Sequence, residues 1–414
     1  MRRPKLISLY SGAGGLDYGF EAAGFFTGAA VEMNHDCCET MRRSRPGWNV
    51  IERSIFLVPT DEMLEACGTR RGEVDLLVGG PPCQPFSKAG YWARGDSRRL
   101  DDPRADTLGG YLRVVEEARP RAFLLENVEG LAYSGKDEGL RLLLDEIARI
   151  NRRTKSAYRP VVQVLNAAEY GVPQLRERVF VIAARDGSAF RFPSPTHGNP
   201  RADSPLLGGS AEPYRTAWDA IGDVEPGPEE DLAVRGKWGE LLPSIPEGQN
   251  YLWHTDRGGG RPLFGWRRRY WTFLLKLAKN RPSWTIQAQP GPAVGPFHWS
   301  NRRLSMRELC RLQTFPDDVV IFGGRSSVQK QVGNAVPSLL AEVLGRSIRT
   351  QLLGLPAPKS PLVLAPGRRA TTPPAEKHTD VPKQFSKLEG KHSAHPGTGQ
   401  GNAARTRAEA RELA

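Results

Sequence analysis

Lys5-Leu6-Ile7-Ser8-Leu9-Tyr10 leads directly into Ser11-Gly12-Ala13-Gly14-Gly15-Leu16, so an apolar run of strand length meets a glycine-rich turn. Apolar residues at helical spacing follow over 16–23. A strand, a turn bare of side chains and a helix N-terminus let backbone N–H groups come close to a ligand. A turn of this kind suits a dinucleotide as well as other nucleotide-bearing ligands. The pattern repeats: 5–10, 28–31, 74–78, 122–125, 161–165 and 179–183 read as buried strands. Between them, 139–150 reads as a helix with Leu140, Leu143, Leu144 and Ile147 on one stripe. Alternation of strand and helix predicts an α/β fold, a doubly wound and mostly parallel sheet.

At the ends of such strands stand the residues with chemical capacity. The run 74–78 delivers Gly79-Gly80-Pro81-Pro82-Cys83-Gln84-Pro85-Phe86-Ser87. Each proline holds φ near −65° and lacks a donor, so the thiol of Cys83 is set in a defined direction. A free thiol has a pKa of about 8.5, and nearby positive charge is needed to make it a working nucleophile. Lys88, Arg94, Arg98, Arg99 and Arg104 follow closely. A lone cysteine is otherwise a small buried hydrophobe, and Cys37 and Cys38 read as helix packing. Glu126 ends the run 122–125, and Glu32 ends 28–31, where an acidic group can accept from ribose hydroxyls. A surface glutamate is the plain alternative for each.

Composition bounds the rest. With 414 residues, the chain can hold two domains or one domain with an insertion. A net charge of +12 favours a polyanionic partner. Five cysteines are too scattered for a disulfide framework, and no cysteine or histidine spacing suits zinc, so no metal is expected. No apolar run approaches the ~20 residues of a membrane span, and a cytoplasmic protein is expected.

The character changes over 187–285, where glycine, proline and tryptophan are frequent and periodicity is poor. Gly265-Trp266-Arg267-Arg268-Arg269-Tyr270-Trp271 interleaves rings and guanidinium groups, which suits phosphate contact and stacking or a small aromatic core with a solvated face. Helical character returns at 305–313 and 338–351. After Pro356 the chain is rich in Pro, Lys, Arg, Ser, Thr and Gly, so 356–414 reads as a disordered basic tail, dispensable for specificity.

Six segments in order resemble the motifs of bacterial-type cytosine-C5 DNA methyltransferases: 9–15, the Pro81-Pro82-Cys83 loop, Glu126-Asn127-Val128, Gln174-Leu175-Arg176-Glu177-Arg178, 303–316, and Gln331-Val332-Gly333-Asn334-Ala335-Val336-Pro337. The resemblance spans roughly 5–350. It implies an S-adenosylmethionine-dependent methyltransferase fold and a catalytic set of Cys83, Glu126, Arg176 and Arg178. It implies cofactor binding by Tyr10, Gly12, Gly14, Gly15, Glu32, Ile55, Pro82, Leu108, Asn334 and Ala335. The family usually has Asp-Ile at the third strand's end, contacting adenine; Ser54-Ile55 stands there in this chain, where the backbone at Ser54 could substitute. The expected organisation is a catalytic and cofactor domain over 1–186, completed by 326–355, and a smaller target-recognition domain over 187–325. Double-stranded DNA is the expected partner, with Gln84, Ser87, Arg267, Arg268 and Arg269 at the DNA, and a companion restriction endonuclease would act on the same site. A monomer is expected.

Under this resemblance a thiolate adds to carbon 6 of a flipped-out cytosine and a methyl group then reaches carbon 5. The competing readings are a tRNA cytosine-C5 methyltransferase and a DNA-binding protein that has kept only the fold. The tRNA branch carries Cys-Phe-Thr after its prolines, whereas this chain has Cys83-Gln84-Pro85. The loss of Cys83, Glu126 or Arg178 would mark the non-catalytic reading, and all are present.

Overall fold

The protein is described by a computed structural model over residues 3–82, 106–128, 138–199, 211–266 and 270–390. Its first part alternates as the sequence predicts: β1 (Lys5–Leu9), α1 (Gly15–Ala22), β2 (Phe26–Glu32), α2 (His35–Ser44), β3 (Asn49–Glu52), α3 (Thr60–Cys67), β4 (Leu76–Gly79), α4 (Asp106–Ala118), β5 (Ala122–Asn127), α5 (Glu138–Thr154), β6 (Val161–Asn166) and β7 (Glu177–Ala184). These strands form one sheet in the order β3-β2-β1-β4-β5-β7-β6. All neighbours are parallel except β7, which runs antiparallel to both β5 and β6.

Side chains of a strand alternate between faces, and the two faces are covered by different helices. Ile7, Leu9, Leu77, Phe123 and Leu125 point into a core closed by α3, α4 and α5. Leu6, Leu76, Val78, Ala122 and Leu124 point the other way, toward α1 and the late helix α9 (Ser338–Gln351). Two further helices, α7 (Met306–Leu312) and α8 (Arg325–Asn334), join α6 (Ala217–Ile221) in a third cluster with Tyr18 and Trp48. A fourth cluster, around Leu241, Leu242, Tyr251, Phe264 and Phe273, forms the core of the irregular region.

Three expectations need correction. The segment 161–165 is a sheet edge and not a buried strand, with Val164 40% exposed, because no strand among the described residues pairs with its outer side. Leu144 leaves the predicted stripe, which runs through Leu140, Leu143, Ile147 and Ile150, and it is 36% exposed. Residues 356–390 are not a free tail; they lie along the body, and Leu362, Leu364 and Phe385 enter existing clusters. Composition alone misses this because single apolar residues dock into clefts built by other elements. Residues 391–414 lie outside those described. No described helix is long and apolar enough to cross a membrane.

The buried Asp17 of α1 accepts from Ser8 Oγ (3.0 Å) and Thr27 Oγ1 (3.2 Å), tying α1 to β1 and β2. Burial pushes its carboxyl up to about 7, against the opposing effect of both hydroxyls. The unfolded chain ionises this group near pH 4, before the folded chain does. Its contribution to stability is therefore full in acid and is lost as pH rises through about 7. Asp17→Asn should remove that loss. Between pH 4 and 8 the stability of the native protein should fall by roughly 2–4 kcal/mol more than that of the variant, as read by denaturant unfolding.

Candidate active site

The glycine turn after β1 is built from left-handed backbone: φ is 53° at Tyr10, 55° at Gly12 and 84° at Gly14. A side chain at Gly14 would be strained by the positive φ and crowded, since a Cβ there would meet the rings of Tyr18 and Trp48 at 3.1 and 3.3 Å. Gly12 N–H donates to Glu32 Oε2 at 2.9 Å, while Glu32 Oε1 accepts from the N–H groups of Met33 (2.9 Å) and Asn34 (2.8 Å). The carboxylate at the end of β2 is thus aimed by backbone alone, with lone pairs left for a ligand hydroxyl.

A cavity of about 670 Å³ opens over these groups, within the range of small-molecule sites. Of the residues that the resemblance implies for cofactor binding, Tyr10, Gly12, Gly15, Glu32, Ile55, Pro82, Asn334 and Ala335 line it. Ser54 lines it as well. Gly14 stands just behind, at the N-cap of α1. Leu108 does not face the cavity; it packs against the core under α4, and its neighbour Thr107 takes the place. Thr107 holds the wall together, accepting from Tyr10 Oη through its carbonyl (2.7 Å) and donating from Oγ1 to the carbonyl of Pro82 (3.1 Å). Sequence reasoning also missed Phe56, a half-exposed ring on the cavity wall beside Ile55, because one aromatic on a short turn carries no periodicity. An acidic acceptor, a side-chain-free turn and an apolar pair fit the ribose, the close backbone approach and the base of a nucleoside cofactor.

The inner end of the cavity holds the charged pair. Glu126 and Arg178 come from the adjacent antiparallel strands β5 and β7, and Arg178 Nε lies 3.0 Å from Glu126 Oε1. Burial raises the Glu126 carboxyl, while Arg178 and Arg176 pull it down. Burial likewise lowers Arg178, and Glu126 opposes that shift. Gly80 leaves the room this pair needs, since a Cβ there would stand 2.7 Å from Glu126 Oε2. Asn127 Nδ2 donates to the carbonyl of Pro81 at 3.2 Å and so pins the proline turn beside the pair. Cys83, Gln84 and Ser87 follow that turn and lie outside the described residues, as do Arg267, Arg268 and Arg269.

Arg176, expected with the catalytic set, is placed elsewhere. Its buried guanidinium does not line the cavity; it donates to the carbonyls of Gly333 (2.8 Å) and Ile286 (3.4 Å). Gln174 continues the network to Gln313 Oε1 (3.1 Å), and Gln313 Nε2 donates to the carbonyl of Val332 (2.6 Å). Three glycine- and glutamine-bearing segments far apart in sequence are thereby locked behind Asn334 and Ala335. Arg176 sits in the break between Leu175 and β7, outside the strand's register, so Arg178 faces the cavity and Arg176 the network behind it.

A mostly parallel sheet with this turn, this acidic strand end and this cavity defines the class of S-adenosylmethionine-dependent methyltransferases. The chain belongs to the C-5 cytosine-specific DNA methylase family, whose model matches residues 4–350. It is 42% identical to the Type II methyltransferase M.SacI of Streptomyces achromogenes over 84% of this chain and 93% of that one. It is 44% identical to the Type II methyltransferase M.AquIA of a Picosynechococcus species over 56% of this chain and 93% of that one. Its fold matches the crystal structure of a DNMT2 mutant from Spodoptera frugiperda with a TM-score of 0.56 at 17% identity, covering 82% of this chain and 98% of that one. The chain is a DNA cytosine-5-methyltransferase of the restriction–modification type, a family whose cofactor is S-adenosylmethionine.

Gly80→Ala tests the geometry around Glu126. The added methyl should displace the carboxylate, and a shift of about 1 Å in a catalytic group costs on the order of 10²-fold in rate. Single-turnover methylation should fall by about that factor while S-adenosylmethionine affinity stays within about twofold, as read by calorimetry.

Proposed function

We propose that the enzyme methylates a flipped-out cytosine within a specific duplex sequence through a covalent Cys83 adduct, and so protects host DNA from a companion endonuclease. The observation that carries this reading is the Glu126–Arg178 pair, buried beside the proline turn that leads to Cys83. A stacked base cannot reach such a recess, so the target must leave the helix at a cost of a few kcal/mol.

Cys83 as thiolate adds to carbon 6, forming a C–S bond and moving the ring electrons toward carbon 5 and N3. Glu126, whose carboxyl burial holds toward its protonated form, donates at N3 and limits the charge that develops there. Arg178 holds the other face of Glu126 and reaches the base carbonyl with its remaining donors. Carbon 5, now enamine-like, accepts the methyl group. Loss of the carbon-5 proton to water then expels the Cys83 thiolate, and return of the N3 proton to Glu126 restores the ring and the enzyme. S-adenosylmethionine, held by Glu32, the glycine turn, Ile55 and Asn334, supplies that methyl group as an activated sulfonium.

The region 187–325 is read as the target-recognition domain. Within it Arg257 lies over the ring of Trp266 at 4.4 Å, and that ring is 40% exposed next to Arg267. Stacked aromatic and guanidinium groups of this kind suit phosphate and base contact.

Cys83→Ser should bind S-adenosylmethionine yet transfer no methyl groups, and near-normal turnover would refute the adduct. Glu126→Gln should slow methylation by about 10²–10⁴-fold. In the native enzyme the rate should fall as pH rises through the raised Glu126 pKa, because the donor proton is then lost; the Gln variant should lack that limb. Exchanging 187–285 for the block of a related enzyme should move methylation to a new site, read by bisulfite mapping of DNA treated with the folded chimera. An active chimera that keeps the old site would refute the assignment of the reader.

A further inference from the structure

The segment 356–390 runs from the end of α9 to the core of the irregular domain and is anchored at every stage. On α9, Glu342 accepts from the N–H groups of Val363 (2.9 Å) and Leu364 (3.0 Å), while Arg346 donates to the carbonyls of Ser360 (2.6 Å) and Pro361 (2.7 Å). Leu362 and Leu364 pack against the core of the catalytic sheet.

At α6 the chain is held again. Arg369 pairs with Asp223 at 2.5 Å and donates from Nε to the carbonyl of Trp218 (3.0 Å), its backbone N–H bonds Asp219 (2.9 Å), and Trp218 Nε1 donates to the carbonyl of Thr371 (2.9 Å). Glu376 then reaches the buried ammonium of Lys279 at 2.9 Å, alongside Glu247 at 2.7 Å. Its own N–H donates to Glu247 Oε1 at 2.8 Å.

The segment ends inside the irregular domain. Phe385 is 3% exposed and stacks on Trp238, with centroids 5.7 Å apart and planes at 19°. It is a member of the fourth cluster, and Val381 and Leu388 pack beside it. A domain that has to borrow a core ring from a chain rooted on α9 is not free to hinge away from that helix. The family match ends at residue 350, so the family motifs do not account for this element.

We infer that 356–390 is a positioning strap for the methylation reaction: it fixes the angle between the catalytic sheet and the target-recognition domain, with Arg369 and Phe385 as its central and terminal anchors. The inference rests on the reading of 187–325 as the DNA reader. Two lever arms meeting at a cleft lose complementarity to a rigid duplex if either turns. A strap that pre-sets the angle lowers the ordering cost of binding DNA. It leaves the cofactor cavity, formed wholly by other residues, untouched.

The test severs the strap without removing an anchor. Gly367 and Arg368 are exposed, so a specific protease site is inserted between them in the full chain, ahead of the Arg369 anchor on residues 218–223. Cut and uncut enzyme are then compared. Cutting should raise KM for duplex DNA by about fivefold or more, leave S-adenosylmethionine affinity within about twofold, and increase the radius of gyration seen by small-angle scattering. An unchanged radius of gyration and unchanged DNA KM would overturn the strap. A larger radius with unchanged DNA KM would uphold the strap as a domain tie and overturn the reader assignment instead. Arg369→Ala in the uncut chain should shift DNA KM in the same direction, while Arg369→Lys should restore part of it.

Discussion

Helices α1 and α9 come closest at glycines, and the rest of the molecule is arranged around that contact. A Cβ on Gly15 would stand 2.6 Å from the Val336 carbonyl, and one on Gly19 only 2.2 Å from that of Ser338. Gly345 answers from the other helix, against Ala23 and Phe20. Backbones this close admit no larger residue on either side. The contact brings the chain's end back onto its beginning. It sets Asn334 and Ala335 across from the glycine turn, and so the cofactor cavity exists only once residues over 300 positions apart have packed. Everything between β7 and α8 must then leave the sheet and return, which is the topological reason that the irregular region is an insertion.

The charged groups behind the cavity obey a second constraint, that buried polar atoms need partners. Glu126 and Arg178 answer each other on neighbouring strands. Arg176, two residues earlier on the chain, donates from its two terminal nitrogens to the carbonyls of Gly333 and Ile286, while its buried Nε has no partner among the described residues. A single short run therefore holds Glu126 on one side and ties the cavity wall on the other.

The irregular domain is held by comparable means, though with sparser packing. Its core is small and aromatic, and one of its rings arrives from the C-terminal segment. Lys279, buried and bracketed by Glu247 and Glu376, makes that junction ionic as well as apolar. Short, irregular elements cannot build a stiff scaffold from backbone ladders, and long-range ties take over that task.

The alternation of strand and helix, the glycine turn, Glu32, Glu126 and the proline turn were legible in the chain as written, because each depends on local spacing or on backbone freedom that only glycine or proline provides. Hence the sheet stands where the pattern placed it, and eight of the ten residues that the family resemblance implied for the cofactor line the cavity. Local pattern could not separate Arg176 from Arg178, turn Leu108 away from the cavity, expose Val164 at an edge or dock Leu362 and Phe385. Those outcomes turn on which surface a distant segment offers, and such a surface forms only when the whole chain has folded. Composition measures whether a segment can bury its own apolar area, and the strap buries its few apolar residues in someone else's cleft. Tertiary structure alone decided that, since the binding free energy of a docked segment resides in its partner as much as in its own sequence.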